Sequence, residues 1–71
     1  PHYVATVQAI DGRRPIRTLN TFHSTSLAEK WVRDTVQQLP EGARPRAETE
    51  VRAFPNRPAA EAWARQWTGA K

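Results

Sequence analysis

Few side chains in this sequence have the types and spacing that chemistry requires. The candidates for nucleophilic, acid–base or metal chemistry are His2, His23, seven acidic residues and an N-terminal proline, with no cysteine in the chain. Two histidines without thiolates do not complete a structural zinc tetrahedron. Three scattered glycines make no phosphate-cradling loop, and no carboxylate pair has a spacing suited to proton transfer. His2 and His23 fall near the ends of two strands that pair and can approach one another, but no aspartate lies between them, so they are read as solvated strand-end residues. A terminal proline amine can move protons α to a carbonyl, yet one residue does not define a site. The sequence therefore assigns no catalytic residue, no metal and no cofactor, and points to a non-enzymatic binding module without a small-molecule substrate.

The charge offers more. Eleven basic residues face seven acidic ones, for a net charge of +4 and a pI near 10.7, and arginines outnumber lysines nine to two. A basic domain releases phosphate counterions on binding and so has the footprint of a nucleic-acid partner. Codons of a high-GC genome supply the same arginine, alanine and proline, so the placement of the arginines carries the reading. At 71 residues and 8.1 kDa the chain makes one small domain, residues 1–71, stabilised without disulfides. No apolar run approaches the ~20 residues of a membrane helix and no secretory signal pattern appears, so the expected location is cytoplasmic, away from membranes.

The elements that would position those arginines follow from periodicity. Residues 3–10 are β-rich and run into Asp11-Gly12, a strong hairpin signal, and residues 16–22 resume a strand after Pro15. A four-residue loop, 11–14, places Ala9 opposite Ile16, Val7 opposite Thr18, Ala5 opposite Asn20 and Tyr3 opposite Phe22. That register leaves Thr6, Gln8 and Arg17 on the other face, with Arg13 and Arg14 at the tip. From a Ser24 N-cap the period becomes helical through Ala28, Trp31, Val32, Thr35, Val36 and Leu39, and Pro40 and Gly42 end the run. Residues 41–45 read as a turn. Residues 47–54 read as a third strand with Glu48, Glu50 and Arg52 on one side and Thr49, Val51 and Ala53 on the other. A second helix follows an Asn56 cap, with Pro58 in its first turn and Ala60, Trp63, Ala64 and Trp67 along its stripe, and residues 68–71 fray.

Residues 22–33 and 54–65 align without gaps, sharing Phe, Ala, Glu, Trp and Arg at matched positions. The chain thus holds two strand-then-helix units, about 16–39 and 47–68. Each unit sets a phenylalanine at the strand end, a cap two residues later, and alanine and tryptophan on the buried face. The expected fold is α+β, ordered ββαβα, with a three-stranded antiparallel sheet in order 2-1-3 and both helices packed on one face. The open face then carries Thr6, Gln8, Arg17 and Arg52 beside Glu48 and Glu50. Together with Arg13 and Arg14 these are the expected nucleic-acid-binding residues.

Residues 3–39 resemble the arm-type DNA-binding domain of phage and actinobacterial tyrosine integrases. The shared features are a Tyr-x-Ala-x-Val strand, the Asp11-Gly12-Arg13-Arg14 turn, Arg17-Thr18, and Thr21-Phe22-x-Ser24 leading to Ala28-Glu29-x-Trp31. The resemblance implies a sheet that enters the major groove of double-stranded DNA, with Thr6, Gln8 and Arg17 facing the groove and Arg13 and Arg14 at the turn on phosphates. It implies an accessory DNA binder, phage-encoded, without recombinase machinery. The repeats Phe22 to Glu29 and Phe54 to Glu61 are similar to those of SPOR domains, which implies peptidoglycan binding, although that family runs βαββαβ. Pro1 is similar to the catalytic proline of tautomerases in position alone. An alternative that needs no nucleic acid is docking on a second copy, as a homodimer, or on a host protein through the open sheet face.

Overall fold

The computed structural model describes residues 1–69. β1 (His2–Asp11), β2 (Arg14–Phe22) and β3 (Glu48–Phe54) form one antiparallel sheet in the order β2-β1-β3. α1 (Thr25–Gln38) joins β2 to a 3-10 helix (Glu41–Arg46) and β3, and α2 (Arg57–Gly69) follows. The expected strand order is present, and so is the register, with Ala9 opposite Ile16 and Tyr3 opposite Phe22. Helix caps also fall where the sequence places them. The Ser24 Oγ accepts from the Leu27 N–H at 3.3 Å, and the Asn56 Oδ1 accepts from the Ala59 N–H at 2.9 Å. The turn at 41–45 is a 3-10 helix that buries Ala43. The helical run of α2 continues through Thr68 and Gly69 rather than fraying there; residues 70–71 of that expected tail lie outside the described residues.

The hairpin is tighter than a four-residue loop. Asp11 and Arg14 still pair, leaving Gly12-Arg13 as the turn. Gly12 has φ +64° and no other described residue has positive φ, the pattern of a type II′ turn, whose twist suits the flanking strands. A Cβ on Gly12 meets nothing within 4 Å, so substitution there costs only backbone strain. Gly12→Ala is expected to lose about 1–2 kcal/mol, measured as a lower urea midpoint.

One expectation is overturned: the helices do not share a face. Side chains alternate along a strand, and Phe22 pairs with Tyr3 whereas Phe54 pairs with His2. The two phenylalanines therefore point to opposite sides of the sheet. Each carries its own tryptophan: Phe22 meets Trp31 of α1 at 5.9 Å and Phe54 meets Trp63 of α2 at 5.8 Å. On the α1 face, Val7, Ala9, Leu39 and Ala43 form a core flanked by Ile16, Trp31, Val32 and Val36. On the α2 face, Val4 and Thr6 are buried, and so is Ala60 of the helix. The molecule measures 36 × 27 × 12 Å. The 12 Å dimension matches three strands about 4.8 Å apart, and 27 Å matches a helix on each side of a sheet at ~10 Å spacing.

The repeat explains this arrangement. Residues of the first unit pair with β1 one position further along than their equivalents in the second, as Tyr3 for Phe22 against His2 for Phe54. A half-turn about β1 with a one-residue step converts one unit into the other. A strand is itself close to a two-fold screw, so a single strand presents equivalent surfaces to both units.

Candidate nucleic-acid interface

Because α2 covers the second face, the open sheet expected there does not exist. Thr6 is only 4 % exposed and has left the surface. Gln8 is half-buried and its Oε1 accepts from Arg17 Nε at 3.4 Å. The Arg17 guanidinium lies 3.9 Å from the ring centroid of Trp67, and that of Arg52 lies 4.9 Å from Trp63. Trp63 and Trp67 stack at 6.4 Å with planes 23° apart. The result is a ladder, Arg52, Trp63, Trp67, Arg17, that ties both edge strands to α2. Cation–π contacts of this kind contribute about 0.5–1 kcal/mol each at exposed sites. Glu50 Oε2 also holds Arg52 by an ion pair at 2.8 Å. Arg52 is thus committed to the fold and stands away from Arg13 and Arg14.

The hairpin tip keeps its expected place. β3 accompanies β1 only as far as Gln8 opposite Glu48, while β1 and β2 continue through Ala9 and Ile16, Ile10 and Pro15, to Asp11 and Arg14. Three further pairs at ~3.4 Å each make a two-stranded ribbon that extends ~10 Å beyond the third strand. Arg13 and Arg14 are exposed on it, and Ile10 is 62 % exposed. The 3-10 helix packs Ala43 against Val7 and Ala9, and thereby carries Arg46 to the same end. Arg46 lines a cleft of about 670 Å³ together with Gly12, Pro15, Arg17 and Glu48.

Sorting the arginines by what they touch separates structural charges from available ones. Arg44 Nε donates to the Leu39 carbonyl at 3.0 Å, satisfying the end of α1. Arg57 pairs with Glu61 one turn along α2 at 2.9 Å, Arg52 is held as above, and Arg17 is stacked. Among the described residues, Arg13, Arg14, Arg33, Arg46 and Arg65 have no acidic or stacking partner. Three of these, Arg13, Arg14 and Arg46, collect at the hairpin end. Asp11 stands opposite Arg14 without an ion pair, and with Glu48 it moderates a patch that is otherwise basic.

Sequence reasoning did not single out Arg46. Its only signal is a basic residue in the connection before β3, and the 3-10 geometry that folds this connection back against β1 has no marker in composition. His2 lies on the α2 face beside Phe54, half-buried, with its Nε2 enclosed and without a hydrogen-bond partner, and His23 is exposed. Among the described residues no three His, Asp or Glu side chains converge as a metal site, and no helix is long and apolar enough to cross a membrane. No protein-family model, curated protein or solved structure matches this chain, so its own geometry is the basis of the functional reading.

Proposed function

We propose that this chain is a small non-enzymatic module that binds double-stranded DNA through the end of its first hairpin. The observation that carries the reading is the ribbon that outruns β3 with Arg13 and Arg14 at its tip. The major groove is ~12 Å wide and ~8.5 Å deep and admits a two-stranded ribbon, so a ~10 Å overhang reaches base edges. In this arrangement Arg13 and Arg14 contact phosphates, Ile10 meets thymine methyls, and Arg46 follows the backbone from the flank. Thr6, Arg17 and Arg52 take no part, because Thr6 is buried and both arginines brace α2.

Three arginines on phosphates predict a slope of roughly −3 for log affinity against log salt. Replacing Arg13 and Arg14 with alanine is expected to make that slope about 2 less negative. Replacing Arg33 and Arg65, which lie on the helices, is expected to leave it unchanged. Fluorescence anisotropy on a duplex across a salt series checks both. A flat series, or equal effects from the two double variants, rejects the reading.

A further inference from the structure

We infer that β3 is a self-association edge, along which two copies of this chain pair antiparallel about Val51 to join their sheets into one of six strands. This surface is separate from the hairpin end and does not depend on DNA binding.

The two edges of the sheet are unlike. On β2, the Thr21 N–H donates to the Asn20 Oδ1 at 2.8 Å, so the main chain of Thr21 points away from β1. Main-chain direction alternates along an antiparallel strand, which puts Pro15, Arg17, Leu19 and Thr21 on the outer edge of β2. Proline has no N–H to offer and that of Thr21 is occupied. Both ends of that edge are blunted, and Arg14 and Arg17 flank it, a common defence against strand addition. Following the same alternation across the sheet, Tyr3, Ala5 and Val7 bond to β2 and His2, Val4, Thr6 and Gln8 bond to β3. Thr49, Val51 and Ala53 are left with outward N–H and carbonyl groups. β3 contains no proline or lysine.

Charge selects the register. A two-fold axis perpendicular to the sheet must pass through a residue pair, because paired side chains share a face. With the axis at Val51, the midpoint of Glu48–Phe54, every residue of β3 is paired. Thr49 then exchanges main-chain bonds with Ala53 of the second copy, and Val51 with its equivalent. On the α2 face, each Glu50 stands opposite the other copy's Arg52. Since Glu50 and Arg52 already pair within one chain at 2.8 Å, the two copies close an alternating ring of four charges. Shifting the axis by one residue sets Glu50 against Glu50 or Arg52 against Arg52, and like charges directly opposite are unfavourable.

Among the described residues, neither helix extends beyond this edge. The molecule is 12 Å across its narrowest dimension, the width of its own strands, so the helices lie over β1 rather than beyond β3. In the joined sheet the two β1 strands are three spacings apart, ~14 Å. Helices pack at 8–10 Å, so equivalent helices clear one another.

The expected result in sedimentation velocity is a mass that rises from 8.1 kDa toward twice that value between micromolar and millimolar concentration. Glu50→Lys, which places like charges across the axis, is expected to abolish the rise while leaving the circular dichroism spectrum and urea midpoint near those of the parent. Register is read by cysteine trapping, since the chain has no cysteine of its own. Opposed residues lie ~5.5 Å apart, within disulfide range, so Val51→Cys is expected to cross-link under mild oxidation. Thr49→Cys is expected not to, being four residues from its equivalent, ~13 Å; adding Ala53→Cys to it restores cross-linking. A mass of 8.1 kDa at every concentration overturns the inference and leaves the edge to another protein. Dimers that survive Glu50→Lys, or that trap through Thr49→Cys as readily as through Val51→Cys, overturn it as well.

Discussion

Replacing Trp63 with alanine is expected to destabilise the domain by about 3–5 kcal/mol, the range for truncating a packed aromatic. A chain of 71 residues has only about 4–11 kcal/mol in total, so most of its stability disappears. Trp63 lies between Phe54 at 5.8 Å and Trp67 at 6.4 Å with Arg52 against its ring, and it is the centre of the contacts that hold α2 over Val4 and Thr6. Trp31 occupies the equivalent position against Phe22 at 5.9 Å, and Trp31→Ala is expected to cost a similar amount. The gentler pair Trp31→Phe and Trp63→Phe tests the layering. With the sheet between them and no shared partner, their effects are expected to add within ~0.5 kcal/mol in urea titrations. Strong coupling would place the helices side by side, contrary to the alternation of Phe22 and Phe54.

Enlarging Ala60 is the second substitution with a large expected effect. Ala28 and Ala60 are both completely buried, each one turn before the tryptophan of its helix. A small residue there lets the helix axis approach the strands while the indole fills the space beside it. Ala60→Leu and Ala28→Leu insert volume where the interface has none to yield and are each expected to cost 1–3 kcal/mol. Ala62→Leu, on the exposed side of α2, is expected to stay within ~0.5 kcal/mol of the parent. Equal losses at positions 28, 60 and 62 would mean that the alanines answer to helix propensity rather than to close approach. The ion pairs Glu50–Arg52 and Arg57–Glu61 are largely exposed and matter little to stability by comparison.

Much of this molecule is legible residue by residue. Ser24 and Asn56 cap the helices because a short polar side chain before an amphipathic run has few other uses. Asp11-Gly12 marks the hairpin, and the need to sort apolar from polar side chains selects the pairing of Ala9 with Ile16. The tip arginines are readable for the same reason, since Arg13 and Arg14 adjoin the turn. Arg17 and Arg52 are not. Both alternate onto the polar side of their strands, and only the docking of α2 turns that side into a tryptophan-lined interface. Arg46 is hidden differently, because its place depends on how a proline-containing connection folds back onto β1.

By itself the sequence determined the strands, the caps and the internal repeat, because each follows from local preference or from a period of two or 3.6 residues, and the order of the sheet, because a right-handed crossover from the second strand to the third leaves the first between them. Only the tertiary structure decided which face each helix covers. Two units with the same local instructions meet a central strand in registers one residue apart, and one residue on a strand is a change of side. That step buries Thr6, commits Arg17 and Arg52 to packing, and leaves the hairpin end and the outer edge of β3 exposed.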